Sequence, residues 1–228
     1  MTTNTERFGG SPLTLGAERN RVLRNTYALL ALSMLPTVLG AWIGVATGIT
    51  SAMSPMVSLI VFLAGAFGFM FAIQRNANSG LGVALLLGFT FFMGLMLARL
   101  LAVVLSMGNG ASLVMMAFAG TSAAFFGMAL LSTVIKRDLS GLARFLFIGA
   151  IGILVVGIVN VFVQSGALMM TLAVLAILVF SAFILVDLKR VRDGEESNYV
   201  MATLGVYLSL YNVFQSLLAL FGILGGED

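Results

Sequence analysis

The stretch that decides the fold covers residues 25–74 and reads NTYALLALSMLPTVLGAWIGVATGITSAMSPMVSLIVFLAGAFGFMFAIQ, without one charged residue. A helix that crosses the hydrocarbon core of a bilayer needs about 20 mainly apolar residues, so this stretch is too long for one span. The segment from Thr47 to Pro55 is rich in the Gly, Ser, Thr and Pro residues that favour turns, and it divides the stretch. The sequence therefore predicts two membrane-spanning helices, at residues 24–46 and 56–73.

The rest of the chain divides in the same way into five further apolar stretches. Polar or charged segments and short turns, at residues 74–80, 107–110, 136–141, 164–166 and 187–198, separate these stretches. The predicted spans are residues 81–105, 112–135, 143–163, 167–186 and 199–224. The predicted fold class is therefore all-α, a polytopic membrane protein whose residues 21–228 form a seven-helix bundle. Residues 1–20 are polar and predict a flexible cytosolic tail without a removable signal peptide.

The composition excludes several classes of protein and of site. Hydrophobic residues make up 60% of the chain and charged residues 9%, whereas about 25% of a typical soluble domain is charged. The chain has no Cys and no His, which excludes disulfides, thiolate or imidazole metal sites and a Ser–His catalytic pair. The predicted spans offer no pair of acids for an aspartyl dyad, and the sequence has no Walker-type phosphate loop. We therefore expect no enzyme, and no catalytic residue, metal, cofactor or nucleic-acid partner.

The basic residues fall on one side of a seven-helix arrangement. Eleven of the 12 Lys and Arg residues lie in the N-terminal segment, in the second, fourth and sixth connections or, for Arg144, just inside the fifth span. They are Arg7, Arg19, Arg21, Arg24, Arg75, Lys136, Arg137, Arg144, Lys189, Arg190 and Arg192. Because basic connections remain in the cytosol, the N-terminus is predicted to be cytosolic and the C-terminus periplasmic. The exception is Arg99, which can extend to the water from the far end of the third span.

Two patterns of small residues predict helix packing. Gly40, Gly44 and Gly48 recur every four residues in the first span, which allows another helix to approach closely, although Gly is frequent throughout the chain. In the seventh span a stripe of small and polar residues consists of Gly205, Ser209, Asn212, Ser216 and Ala219. Because polar groups are costly in hydrocarbon, this face should point into the bundle. It then serves either for hydrogen bonding between helices or as the wall of a central polar cavity.

Several segments resemble the Bax-inhibitor-1 family, and the resemblance extends over nearly the whole chain from about Arg21 onward. The segments are residues 22–27, 88–94, 136–139, 194–199 and 198–218. Within the family, residues 22–27 (VLRNTY) and 207–212 (YLSLYN) resemble the YccA-like branch. The resemblance implies a seven-helix bundle with helix seven central, in the bacterial inner membrane.

The resemblance also implies two activities. The YccA-like branch modulates FtsH, a membrane-anchored protease that removes damaged membrane proteins, and other members behave as pH-sensitive calcium leak pathways gated by two acids. Asp187 matches the acid of helix six, but the acid of helix seven would fall at Ser209, which cannot titrate. A simpler gate pairs Asp187 with Arg75 at the cytosolic mouth. The alternative is that Asp187 only caps a helix at the membrane surface.

The leading hypothesis is a modulator, more specifically an inhibitor, of the FtsH protease in membrane-protein quality control. Its expected partners are the FtsH complex and membrane lipid. The alternative hypothesis is a pH-sensitive cation leak of the Bax-inhibitor-1 type, with the calcium ion as its ligand.

Overall fold

The computed structural model describes residues 12–225, apart from the side chains of residues 12–15 and 17. Within that range all regular secondary structure is α-helical. The helices are α1 (Pro12–Thr47), α2 (Pro55–Asn76), α3 (Gly80–Leu105), α4 (Gly110–Val134), α5 (Ser140–Val163), α6 (Gly166–Asp193) and α7 (Tyr199–Gly225). All seven are long and apolar enough to cross a membrane, which confirms the predicted class of a seven-helix membrane protein.

Two helices extend further than the hydropathy of the sequence predicts. Helix α1 begins at Pro12, a residue whose fixed φ suits the first helical position, so residues 12–20 of the predicted tail are helical. Residues 1–11 of that tail lie outside the described residues. Helix α6 continues past the predicted end at Val186 as far as Asp193, where Gly194 ends it with a left-handed φ of 84°. Its last turns are charged, and Arg190 and Arg192 lie in the last turn, where a positive charge interacts favourably with the negative end of the helix dipole.

The short break between α5 and α6 is held by local hydrogen bonds. Gln164 ends α5 in the left-handed conformation, with a φ of 53°. The Ser165 N–H donates to Asn160 Oδ1 at 3.0 Å, and the Ser165 hydroxyl oxygen accepts from the Leu168 N–H at 3.3 Å. Ser165 thereby satisfies one of the N–H groups that a helix N-terminus leaves without an intrahelical partner.

The helices pack unevenly around a buried core. Helices α1 and α3 share the most extensive contact, and α7 packs against α1, α2, α3, α4 and α6. The core holds Phe89, Met93 and Tyr207, each at most 1% exposed. Helix α5 contacts only α6 and, slightly, α2. Large apolar side chains such as Phe145 are exposed on the outer surface of the bundle, as expected of a surface that contacts the hydrocarbon of a bilayer.

Three connections of the chain meet at one end of the bundle. Asn198, which precedes α7, donates from Nδ2 to the Ala77 carbonyl at 3.0 Å and to Asn78 Oδ1 at 2.7 Å. Arg192 donates from Nη2 to the Ile135 carbonyl at 3.2 Å. The connection at residues 194–198 is thus joined to the one at 77–79, and the last turn of α6 is joined to the start of the connection at 135–139. We call this end of the bundle the basic end.

The N-terminal part of α1 reaches the same end. Gly194 lies beside the side chain of Arg19, since a β-carbon built on Gly194 would stand 3.1 Å from Arg19 Cδ. Lys189, only 6% exposed, pairs with Asp193 one turn further along α6. The structure therefore brings together the segments in which the basic residues were counted, while the assignment of this end to the cytosol remains a prediction.

Candidate functional site

The candidate site lies where α6 packs against α7 and is formed by Asp187, Ser209 and Gly205. The Ser209 hydroxyl, on a residue 3% exposed, donates to Asp187 Oδ2 at 3.3 Å. A β-carbon on Gly205 would stand 3.3 Å from both Cγ and Oδ2 of Asp187. The missing side chain at Gly205 thus leaves the room that the carboxylate occupies between the two helices. Of the predicted site residues, the structure brings these three together.

The charge of Asp187 has no direct counter-ion. None of the ion pairs among the described residues includes it. Arg190 and Glu196, one basic and one acidic, interact with it electrostatically. An ionisable residue inside a membrane helix is costly and marks a functional position by default. The neutral Ser209 hydroxyl is the group that compensates the carboxylate directly.

The ligands at this site are too few for a tightly held calcium ion. Asp187 and Ser209 contribute three side-chain oxygens, whereas calcium takes 6–8 oxygen ligands. Residues 12–225 contain no group of three or more acidic side chains that could complete such a shell. The arrangement can instead exchange hydrogen bonds between α6 and α7, or offer a single charge to a passing cation.

The structure does not bring Asp187 and Arg75 together. Arg75 lies in the last turn of α2 and is exposed. Helix α2 packs against α3, with slight contacts to α5 and α7, and it makes no contact with α6. The two side chains are therefore on helices that are not neighbours in the bundle.

The other polar residues of the α7 stripe are not joined to Asp187. The Asn212 amide donates to the Leu208 carbonyl of its own helix at 2.8 Å. Ser216 is partly buried and makes no side-chain hydrogen bond within the described part of the chain. Their role as the wall of a polar cavity stays a prediction.

The glycines of α1 have two different roles. A β-carbon on Gly40 would overlap the Phe91 carbonyl of α3, and one on Gly44 would overlap the Ala98 side chain. Close approach of α1 and α3 therefore depends on both glycines. Gly48 is not a packing residue, because nothing lies within 4 Å of the position of its missing side chain. With a φ of +65° it instead ends the helix.

Two tyrosines that connect α7 to its neighbours were missed by the sequence analysis. The Tyr207 hydroxyl lies 2.9 Å from Thr37 Oγ1 of α1 and donates to the Thr90 carbonyl of α3 at 3.4 Å. The Tyr211 hydroxyl donates to the Met93 carbonyl at 3.2 Å. The signal was present, since the two tyrosines are four residues apart and a buried Tyr needs a partner for its hydroxyl. The predicted stripe counted only small and amide-bearing residues.

Comparison with known proteins gives a consistent picture over the full length. The model of a protein family described as "Inhibitor of apoptosis-promoting Bax1" matches residues 19–226. An uncharacterized membrane protein of Vibrio cholerae is 36% identical over 219 residues, which cover 96% of each chain. The "Modulator of FtsH protease YccA" of Escherichia coli K12 is 36% identical over 203 residues, 89% of this chain and 90% of its own. A relative with the same identity and coverage in Escherichia coli O6:H1 carries the name "Inner membrane protein YccA".

Proposed function

Because this chain belongs to the Bax inhibitor-1 family, described as inhibitors of apoptosis-promoting Bax1, we propose that it modulates the FtsH protease in the bacterial inner membrane. The observation that carries the proposal is the similarity to the E. coli modulator of FtsH. That similarity extends over nearly all of both chains, so it concerns the whole seven-helix bundle and not one motif. In this role the protein is an inhibitor without enzymatic activity of its own, acting in membrane-protein quality control.

A physical route follows from how the chain is packed. The basic end faces the cytosol in this proposal, and the N-terminal segment is presented there to the protease. Extraction from the N-terminus must first separate α1 from α3, the pair with the largest contact in the bundle. Gly40 and Gly44 bring the two backbones into direct contact, which makes this separation costly. The protein therefore occupies the protease as a slow substrate.

The decisive experiment measures ATP-dependent degradation of a membrane-protein substrate by FtsH in proteoliposomes, with and without this protein. We expect the full chain to slow substrate turnover and to co-purify with the protease. A variant lacking residues 1–11 should lose most of this effect. Gly40→Ala, which loosens α1 from α3, should be degraded faster and should inhibit less. The matched control is Gly68→Ala on α2, where nothing lies within 4 Å of the added methyl group.

The protease proposal fails if the full chain neither binds FtsH nor alters substrate turnover. If Gly68→Ala lost inhibition to the same extent as Gly40→Ala, inhibition would not depend on the packing of α1 against α3, although the protein could still modulate FtsH. The orientation is tested separately with two kinds of reporter fused after Asp228. A reporter that is active only in the periplasm should show activity, and one that is active only in the cytosol should not.

A second candidate function, a cation leak pathway, is supported by one observation at the α6–α7 contact. Asp187 is a carboxylate within the sixth membrane-spanning helix that contacts Ser209 and forms no ion pair with any described residue. The test is calcium entry into liposomes that contain the protein and a calcium-sensitive dye. We expect Asp187→Asn to abolish the flux and Asp138→Asn, a change at an exposed residue of the α4–α5 connection, to leave it unchanged. Absence of flux, or equal flux in Asp187→Asn, would rule out this function.

A further inference from the structure

A groove with a volume of about 290 Å³ lies between α2, α3, α5 and α7, away from the basic end. Its residues include Pro55 at the start of α2, Arg99 near the end of α3 and Val161 near the end of α5. Helices α2 and α5 form its outer margins, and they touch each other only slightly. The groove is therefore open between these two helices, toward the surrounding bilayer.

Arg99 brings a positive charge into this groove with few protein partners. Its Nη1 donates to the Met53 carbonyl at 3.4 Å and to Ser58 Oγ at 3.5 Å, both at the long limit for a hydrogen bond. Arginine has five N–H donors, and those on Nε and Nη2 have no partner in the described chain. No ion pair among residues 12–225 includes Arg99.

The acidic residues of the described chain lie elsewhere. They are Glu18, Asp138, Asp187, Asp193, Glu195 and Glu196, all in segments that lead to the basic end. The last described residue of α7, Gly225, packs beside Leu113 and Asn109. It lies about 15 Å along the helix from Gln215, which lines the groove, at a rise of 1.5 Å per residue. The charge of Arg99 thus has no carboxylate within the described bundle to neutralise it.

The other groups in the groove favour an anion that carries an apolar chain. The first turn of α2 contributes Ser58 and the positive end of a helix dipole, which attracts anions. Gln215 contributes an amide whose donors make no hydrogen bond within the described residues. Leu59, Phe62 and Val161 form an apolar wall beside these polar groups. This combination matches the phosphodiester and the acyl chain of a phospholipid.

The depth of Arg99 agrees with the position of a lipid headgroup. Arg99 lies about 9 Å along the axis from the end of α3, which is about 39 Å long at 1.5 Å per residue. The hydrocarbon core is about 30 Å thick, so the long Arg side chain reaches the headgroup level from just inside it. We propose that this groove binds one phospholipid of the adjacent leaflet, with the phosphodiester on Arg99 and an acyl chain between α2 and α5.

The test is native mass spectrometry of the full chain in detergent, with added palmitoyl-oleoyl phosphatidylglycerol. We expect one lipid to remain bound to the wild type, and Arg99→Gln to weaken its binding by about tenfold or more, because charge-assisted hydrogen bonds to the phosphate are lost. Arg75→Gln, a change at an exposed Arg of the basic end, is the matched control and should bind as the wild type does. Val161→Trp should also weaken binding, since it fills the groove while leaving the charge of Arg99 in place. Gel filtration identifies any variant that fails to fold.

Equal lipid retention by the wild type, Arg99→Gln and Val161→Trp would overturn the proposal. So would an equal loss in Arg75→Gln, because binding would then not depend on this groove. The lipid proposal would also be overturned if the wild type retained no lipid but bound an acidic protein segment in a way that depends on Arg99. The groove would then be assigned to a protein partner. This experiment contains no protease, so its outcome is independent of the proposed modulation of FtsH.

Discussion

The substitution Gly40→Ala tests the contact on which the packing of α1 against α3 depends. The added methyl group would overlap the Phe91 carbonyl oxygen, and it would also stand 3.1 Å from the Leu95 backbone nitrogen. Both are backbone atoms that cannot rotate away, so the two helices must separate. Overpacking of this kind costs about 1–3 kcal/mol, and we expect the upper part of that range because the obstacle is backbone. For a chain of this size, 2–3 kcal/mol corresponds to a decrease in melting temperature of roughly 4–12 °C.

Thermal unfolding in one fixed detergent measures this effect, with Gly68→Ala as the reference. Gly68 lies in α2 with nothing within 4 Å of its missing side chain, so the same change there adds no clash. The change from Gly to Ala at residue 68 replaces a poor helix former by the best one, which stabilises the helix by up to about 1 kcal/mol. The two variants should therefore shift the melting temperature in opposite directions. A melting temperature of Gly40→Ala equal to that of the wild type would refute the close contact of α1 and α3.

Three further substitutions test local features of the structure. Tyr207→Phe should lower the free energy of unfolding by about 1 kcal/mol, because the Tyr207 hydroxyl loses its hydrogen bonds to the neighbouring helices. Thr37 keeps its own hydrogen bond within α1, so it is not left without a partner. An unchanged melting temperature would contradict this prediction. Asn198→Ala should lower the free energy of unfolding by about 1–2 kcal/mol, since this side chain both caps α7 and bonds the α2–α3 connection. Amide hydrogen exchange in the first turn of α7 should become faster. The Ser140 hydroxyl and N–H donate hydrogen bonds that hold the pKa of Asp138 below its usual value. These bonds therefore stabilise the fold at neutral pH, and their contribution is lost as the pH falls through that lowered pKa. Carboxyl NMR titration should show a higher pKa for Asp138 in Ser140→Ala, and an unaltered titration would exclude this cause.

The seven spans could be predicted because a bilayer imposes a simple length requirement on apolar stretches. Every span coincides with a region in which charges are absent or rare, even where the dividing turn is as short as Gln164–Gly166. The charged end of α6 could not be found in this way, because residues 187–193 include five charged side chains and still remain helical. Hydropathy reports the solvent around a segment and not its hydrogen bonding.

The contacts between helices were predicted less well, since they depend on which helices are neighbours. Gly205 and Ser209 belong to the predicted stripe, and both do lie against α6. Arg75 and Asp187 are not brought together in the structure, because α2 and α6 are not neighbours, and nothing in the sequence states which helices are neighbours. Gly48 has the same spacing as its predecessors, but it comes after the helix has left its contact with α3. Spacing alone does not distinguish a residue that packs from one that ends a helix.

The unequal bonding of the two ends has a mechanical consequence. At the basic end, Asn198 joins its own connection to the one between α2 and α3, and Arg192 of α6 donates to the carbonyl of Ile135 at the end of α4. At the opposite end, the hydrogen bonds that join different helices or connections within the described chain are the two long ones from Arg99. The far ends of the helices are held by packing instead, such as that of Val104 beside Gly222, so we expect detergents that weaken apolar contacts to loosen this end before the basic end.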